Sequence, residues 1–204
     1  MIALWVLGPP LLAGGAGAAL GGPLWGASIG VFGAVAAAAW LRSQDRLALR
    51  AAGAEVLEPP RHPRVHNLAA GLSRDLGTPP PELRLLPSPR LNALVCRPGP
   101  TPVLALSAGL LAACTRTELE AVVASLLLRV AGDGVERARL AAAFGLRPAP
   151  DPGLDIRAAA VTRYPPALAA ALLKCDPQPG RYRAFYFLAE GSSPELRAAE
   201  LLDL

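Results

Sequence analysis

The sequence predicts a mainly helical α+β chain, with a membrane-inserted N-terminal hairpin of two helices followed by a domain of short helices around a small β-sheet. Three observations carry this reading. No charged side chain occurs before Arg42, so residues 1–41 form an almost wholly apolar tract. Beyond it, apolar residues recur at helical spacing, most regularly at Leu119, Val122, Val123, Leu126, Leu127 and Val130, an i, i+3, i+4, i+7 series that defines one buried helical face. Between Leu83 and Ser107, three short apolar runs are separated by proline-containing turns, the pattern of brief strands.

The apolar tract is too long for the hydrophobic region of a signal peptide and lacks the basic segment that precedes one. Gly21-Gly22-Pro23 divides it into helices expected at about 2–20 and 24–41, each close to the roughly 20 residues that cross a bilayer core of about 30 Å. A single tilted span, with Pro9-Pro10 at the interface, is the alternative. Arg42, Arg46 and Arg50 follow the last apolar residue, and the positive-inside rule then places the rest of the chain in the cytoplasm. Gly22, Gly26 and Gly30 recur every fourth residue, which suits close packing within the hairpin. Residues 42–60 are expected to form a juxtamembrane helix and a proline-rich linker, and residues 61–204 a cytoplasmic domain.

Lys174 is the single lysine among 20 basic residues, and Ala, Gly and Pro are abundant. That bias points to a GC-rich bacterial genome and hence to the bacterial cytoplasmic membrane. The net charge of +4 is scattered and interrupted by Glu118, Glu120 and Asp133, so no nucleic-acid partner is expected. The juxtamembrane arginines instead face anionic headgroups, which makes the lipid bilayer the first partner. Cys96, Cys114 and Cys175 are odd in number and widely spaced, matching neither a disulfide framework nor a metal site.

After the linker, the spacing predicts a helix from Pro63 that ends before Gly77, strands at Leu83–Leu86, Asn92–Cys96 and Val103–Ser107, and a short helix through Leu111. Thr115 followed three residues later by Glu118 forms a capping box that starts a helix running to Ala131. Further helices are expected at 135–144, 156–161, 167–174 and 194–202, with Tyr182, Phe185, Tyr186 and Phe187 as packing aromatics. His62 and His66 are the only histidines and lie four apart, which would suit a zinc pair on one helical face. Pro60 and Pro63 bracket His62, however, and place it at the helix entrance, leaving His66 to an ordinary hydrogen bond.

Glu118-Leu119-Glu120-Ala121-Val122-Val123-Ala124 is similar to the run that leads into His-Glu-x-x-His in the HtpX-type and CAAX-prenyl-protease-type membrane zinc metallopeptidases. Val65-His66-Asn67-Leu68 resembles that family's first domain helix, and Pro87-Ser88-Pro89 with Leu91-Asn92-Ala93-Leu94 resembles its Pro-Asn-Ala-Phe strand. Asp155 and Arg163 keep the spacing of its second active-site helix. The resemblance implies a zincin-like domain over roughly residues 56–204, in which active relatives bind zinc and lay substrate along the edge strand by β-addition.

The residues that would do this chemistry are replaced. Ser125 and Arg129 stand at the histidine positions, Leu126 at the general base and Asp151 at the third ligand. Losing a general base alone costs about 100 to 10,000-fold, and losing the metal removes the shift of bound-water pKa from about 15.7 toward 7. No zinc or other cofactor is therefore expected. The resemblance then implies a proteolytically silent pseudopeptidase with a binding or regulatory role in membrane-protein quality control. Its partner would be a membrane protein or an active paralogue, held along Asn92, Ala93, Leu94, Val95 and Cys96. Arg129 is expected either to pair with Asp151 or Asp155, replacing the metal crosslink by an ion pair, or to be solvated near the helix end. Pro152 and Gly153 suggest that the turn after Asp151 is a loop, with Asp151 a cap or a solvated acid. The competing readings are residual metalloendopeptidase activity through His62, His66 and Asp151, and a purely structural membrane-anchored domain.

Overall fold

The computed structural model describes residues 12–13, 16, 18–19, 22–147 and 151–204. The chain divides into two compact units, Met1–Gln44 and Asp45–Leu204. It is mainly helical, with a small mixed sheet.

The first long element is helix α1 (Pro23–Ala51), which contains an 18-residue window of mean hydropathy 1.7 that is only 6% buried. By length and composition it can cross a membrane. The expected span at 24–41 and the expected juxtamembrane helix are therefore one helix, because neither glycine nor proline interrupts the chain from Ala34 to Ala52. The expected first span, about 2–20, falls largely outside the described residues, and so does the hairpin it would form. Gly53, at φ +62, ends α1. Its amide donates to the carbonyl of Arg50 and that of Ala54 to Leu49, at 3.1 Å each, the paired bonds of a Schellman stop that only a left-handed residue supports at low cost.

In the second unit, strands β1 (Glu55–Val56), β2 (Glu82–Leu86), β3 (Ala93–Cys96) and β4 (Val103–Ser107) form one sheet in the order β1-β2-β4-β3. The β2/β4 pair is parallel and the other two pairs are antiparallel. Every residue of β3 and β4 is buried, and alternate side chains enter different cores. Ala93, Val95, Leu104 and Leu106 join helices α2 (Pro63–Asp75), α4 (Arg116–Ala131), α6 (Pro152–Thr162), α7 (Pro165–Lys174) and α8 (Pro194–Leu202). Leu94, Cys96, Val103 and Ala105 join the end of α1, helix α5 (Gly134–Phe144) and the 3-10 turn Arg183–Phe185. Helix α3 (Ala108–Ala113) leads from β4 into α4. Gly109 is required there, since a Cβ would lie 2.0 Å from the carbonyl oxygen of Pro89.

Two further expectations change. The first concerns α4, which is not buried along one face only. Residues Ala121 to Leu127 are buried without interruption, because α2, α6, α7 and β3 all pack on it. It is a central helix, apolar nearly all round, as such helices are when enclosed. The second concerns Asp151, which is not followed by a loop. Helix α6 begins at Pro152, where proline fits the first turn because that amide has no intrahelical acceptor.

Candidate functional site

The positions that carry chemistry in the resembling peptidases lie on α4 and α6, which pack against each other. Thr115 starts α4 with the expected capping box, its hydroxyl accepting from the Glu118 amide at 3.3 Å while its own amide donates to the Glu118 carboxylate at 2.8 Å. About two turns beyond Glu118, Ser125 and Leu126 are buried, and the Ser125 hydroxyl has no hydrogen-bond partner among the described residues. An unpaired hydroxyl in an enclosed site has neither a base to activate it nor a substrate within reach.

Arg129 makes neither of the ion pairs expected of it, and it is half-buried rather than free in solvent. Its guanidinium donates to the backbone carbonyl of Tyr186 at 2.8 Å and to that of Ala184. Burial and the like charges of Arg197 and Arg137 push its pKa down to about 10, with Asp155 pulling the other way, so it remains cationic at neutral pH. Asp155 is unavailable to it because Arg197 of α8 takes both carboxylate oxygens, at 2.7 and 2.9 Å. That fork-to-fork geometry is the strongest form of a carboxylate pair. The Arg197 guanidinium also lies 5.9 Å from the centre of the Phe187 ring, within cation–π range. Asp151 occupies the N-cap position of α6 but makes no capping bond, and it pairs loosely with Arg137 at 3.7 Å and Arg157 at 3.5 Å.

The expected peptide-binding edge is closed. β3 is the last strand of the sheet, yet its outer side is taken by the chain's own C-terminal segment. The Phe187 amide donates to the Ala93 carbonyl at 2.7 Å, and Leu94 bridges Tyr186 in antiparallel fashion. Asn92 fastens this segment. Its side-chain amide donates to the carbonyls of Asp176 and Leu188 at 2.7 and 2.8 Å, while its side-chain oxygen accepts from the amides of Ala93 and Leu188. Asn92, Ala93, Leu94, Val95 and Cys96 are all buried, so a foreign strand finds no free ladder there.

The histidines do not form the alternative site. His62 is the N-cap residue of α2, and one ring nitrogen of His66 is hydrogen-bonded to the Leu57 carbonyl at 2.9 Å. His62, His66 and Asp151 do not converge, and among the described residues no three His, Cys, Asp or Glu side chains are placed to share a metal ion. All three cysteines are free. Burial raises the thiol of Cys114 to about 11 and that of Cys175 to about 12, leaving little thiolate for nucleophilic chemistry at neutral pH.

Sequence reasoning missed the partners that matter most here. Arg197 lies 42 residues from Asp155, and Lys174, whose ammonium holds Glu118 at 2.7 Å, lies 56 residues away. Neither pairing has a local signal. The one available clue was that a lone lysine in an arginine-rich chain ends a helix beside an otherwise apolar core. Comparison of the chain with protein-family models and with curated proteins gives no match.

Proposed function

We propose that this chain is a membrane-anchored, proteolytically silent relative of the HtpX-type membrane metallopeptidases, in which a zincin-like catalytic centre is rebuilt as a structural crosslink. The observation that carries the reading is the arginine at the second-histidine position. Arg129 grips the Ala184 and Tyr186 carbonyls, and so anchors the segment that closes the β3 edge. A residue at a ligand position that instead holds the chain in the substrate's place makes one change account for two losses, metal and peptide. Leu126 at the general-base position, fully enclosed, is consistent with the same history.

The remaining role is binding or regulation in membrane-protein quality control, with a membrane protein or an active paralogue as partner. The apolar helix α1 supplies the anchor. The cytoplasmic placement of the second unit rests on Arg42, Arg46 and Arg50 at the end of the apolar run, and the bacterial membrane on the arginine bias and the abundance of Ala, Gly and Pro. Because β3 is covered, the contact surface lies elsewhere on the second unit.

Metal content and proteolysis of the purified full chain test the reading. The expected result is substoichiometric zinc after dialysis and no cleavage of casein or of a membrane-protein substrate, with or without added zinc. Stoichiometric zinc together with chelator-sensitive cleavage would overturn it.

A further inference from the structure

A groove of about 720 Å³ lies where the start of α2 meets α3 and the start of α4. Its walls are apolar. Leu68, Leu111 and Leu119 remain only partly covered although they pack on the main core. Its rim is cationic, with Arg61, Arg64 and Arg116 around it and no carboxylate in the lining. Arg61 is shared with Glu58 at 3.3 Å, whereas Arg64 and Arg116 have no ion-pair partner among the described residues and are exposed. The adjoining start of α2 adds to the same field, since it has no side-chain cap and no acidic residue in its first turn.

We propose that this groove binds a single-chain anionic lipid, with the alkyl chain against the leucines and a phosphate head between Arg64 and Arg116. Guanidinium groups recognise phosphate oxygens in paired hydrogen bonds. Two exposed arginines in the lining of an apolar groove suit a ligand with both parts. The volume lies within the roughly 300 to 1,000 Å³ of small-molecule sites. A partner protein would instead use a broader surface, of about 800 Å² per side. This inference does not depend on the peptidase ancestry proposed above.

Cys114 supplies the readout, because it lines the groove and is half-buried while Cys96 and Cys175 are buried. The full chain, held in phosphatidylcholine nanodiscs, is labelled with a maleimide in the presence of dodecyl phosphate, dodecylphosphocholine, inorganic phosphate or a short acidic peptide. Dodecyl phosphate is expected to slow labelling of Cys114 at a concentration at least about tenfold below that of dodecylphosphocholine, the difference a charge-assisted contact of this kind makes. R64Q/R116Q should abolish that preference with unchanged melting. The single variants R64Q and R116Q, each losing part of it, keep the test readable if the double variant melts lower. Equal protection by the zwitterionic chain, protection by inorganic phosphate alone, stronger protection by the acidic peptide, or an unchanged preference in the arginine variants would each overturn the proposal.

Discussion

At the residue scale, Ser125 and Asn92 are opposite cases of a buried polar group. Ser125 is enclosed with its hydroxyl unpaired, and a buried polar atom without a partner costs about 1 to 3 kcal/mol. S125A removes the hydroxyl and leaves a side chain that α4 already carries at Ala121 and Ala124, so it is expected to stabilise the full chain by about 1 kcal/mol. Asn92 is equally buried but satisfies four backbone groups. N92A strands those groups and is expected to cost about 3 kcal/mol or more, since each lost bond contributes roughly 1 kcal/mol before the orphaned partners are counted. Chemical unfolding in mild detergent reads both. A destabilised S125A would mean that the hydroxyl has a role the structure does not provide, and a neutral N92A would mean that the β3 edge opens readily and is available to a peptide after all.

At the scale of elements, β2, β3, β4 and the α4 cap were legible because their signals are local, whereas the two-residue β1 falls in the expected linker and was not. Thr115 and Glu118 are three residues apart, and prolines stand between the runs that became β2, β3 and β4. What covers each element was not legible. Ala93 meets Phe187 across more than ninety residues, and nothing in Asn92 to Cys96 distinguishes an open edge from a closed one. The same holds for α4, whose apolar spacing shows one buried face while burial on the others depends on helices from distant sequence. Its start carries a testable consequence. Burial alone would raise the Glu118 carboxyl, but the Lys174 ammonium and the Thr115 amide outweigh that and hold it below its ordinary value of 4.5. A carboxyl whose folded pKa is depressed stabilises fully above the unfolded value and loses that contribution as pH falls through the folded one. E118Q is therefore expected to be less stable than the native chain at pH 7, with the gap closing as pH falls below about 4.5. A gap that stays constant through that range would show that the Glu118 charge contributes nothing to the cap.

At the scale of the whole molecule, α1 carries a largely exposed apolar stretch that is long enough to cross a membrane. Leu24, Trp25, Phe32 and Val35 are each more than 60% exposed, and the first charge on the helix is Arg42. Isolated exposed leucines are ordinary, but an apolar helix of this length and exposure can cross a membrane or pack on another helix. Arg42, Arg46 and Arg50 fall within the short distance beyond a span over which basic residues set orientation, each disfavouring transfer across the hydrocarbon core by about 2.5 to 3.5 kcal/mol. On the proposed orientation, a cysteine placed at the exposed Glu195 on α8, in a chain where Cys114 is changed to serine, is shielded in intact spheroplasts. It should react with an impermeant maleimide only after the membrane is opened, because Cys96 and Cys175 are buried and contribute little background. R42Q/R46Q/R50Q should raise the fraction labelled before lysis, since it removes the bias without disturbing the apolar run. Labelling of the unmodified arrangement in intact spheroplasts would place the second unit on the other side of the membrane.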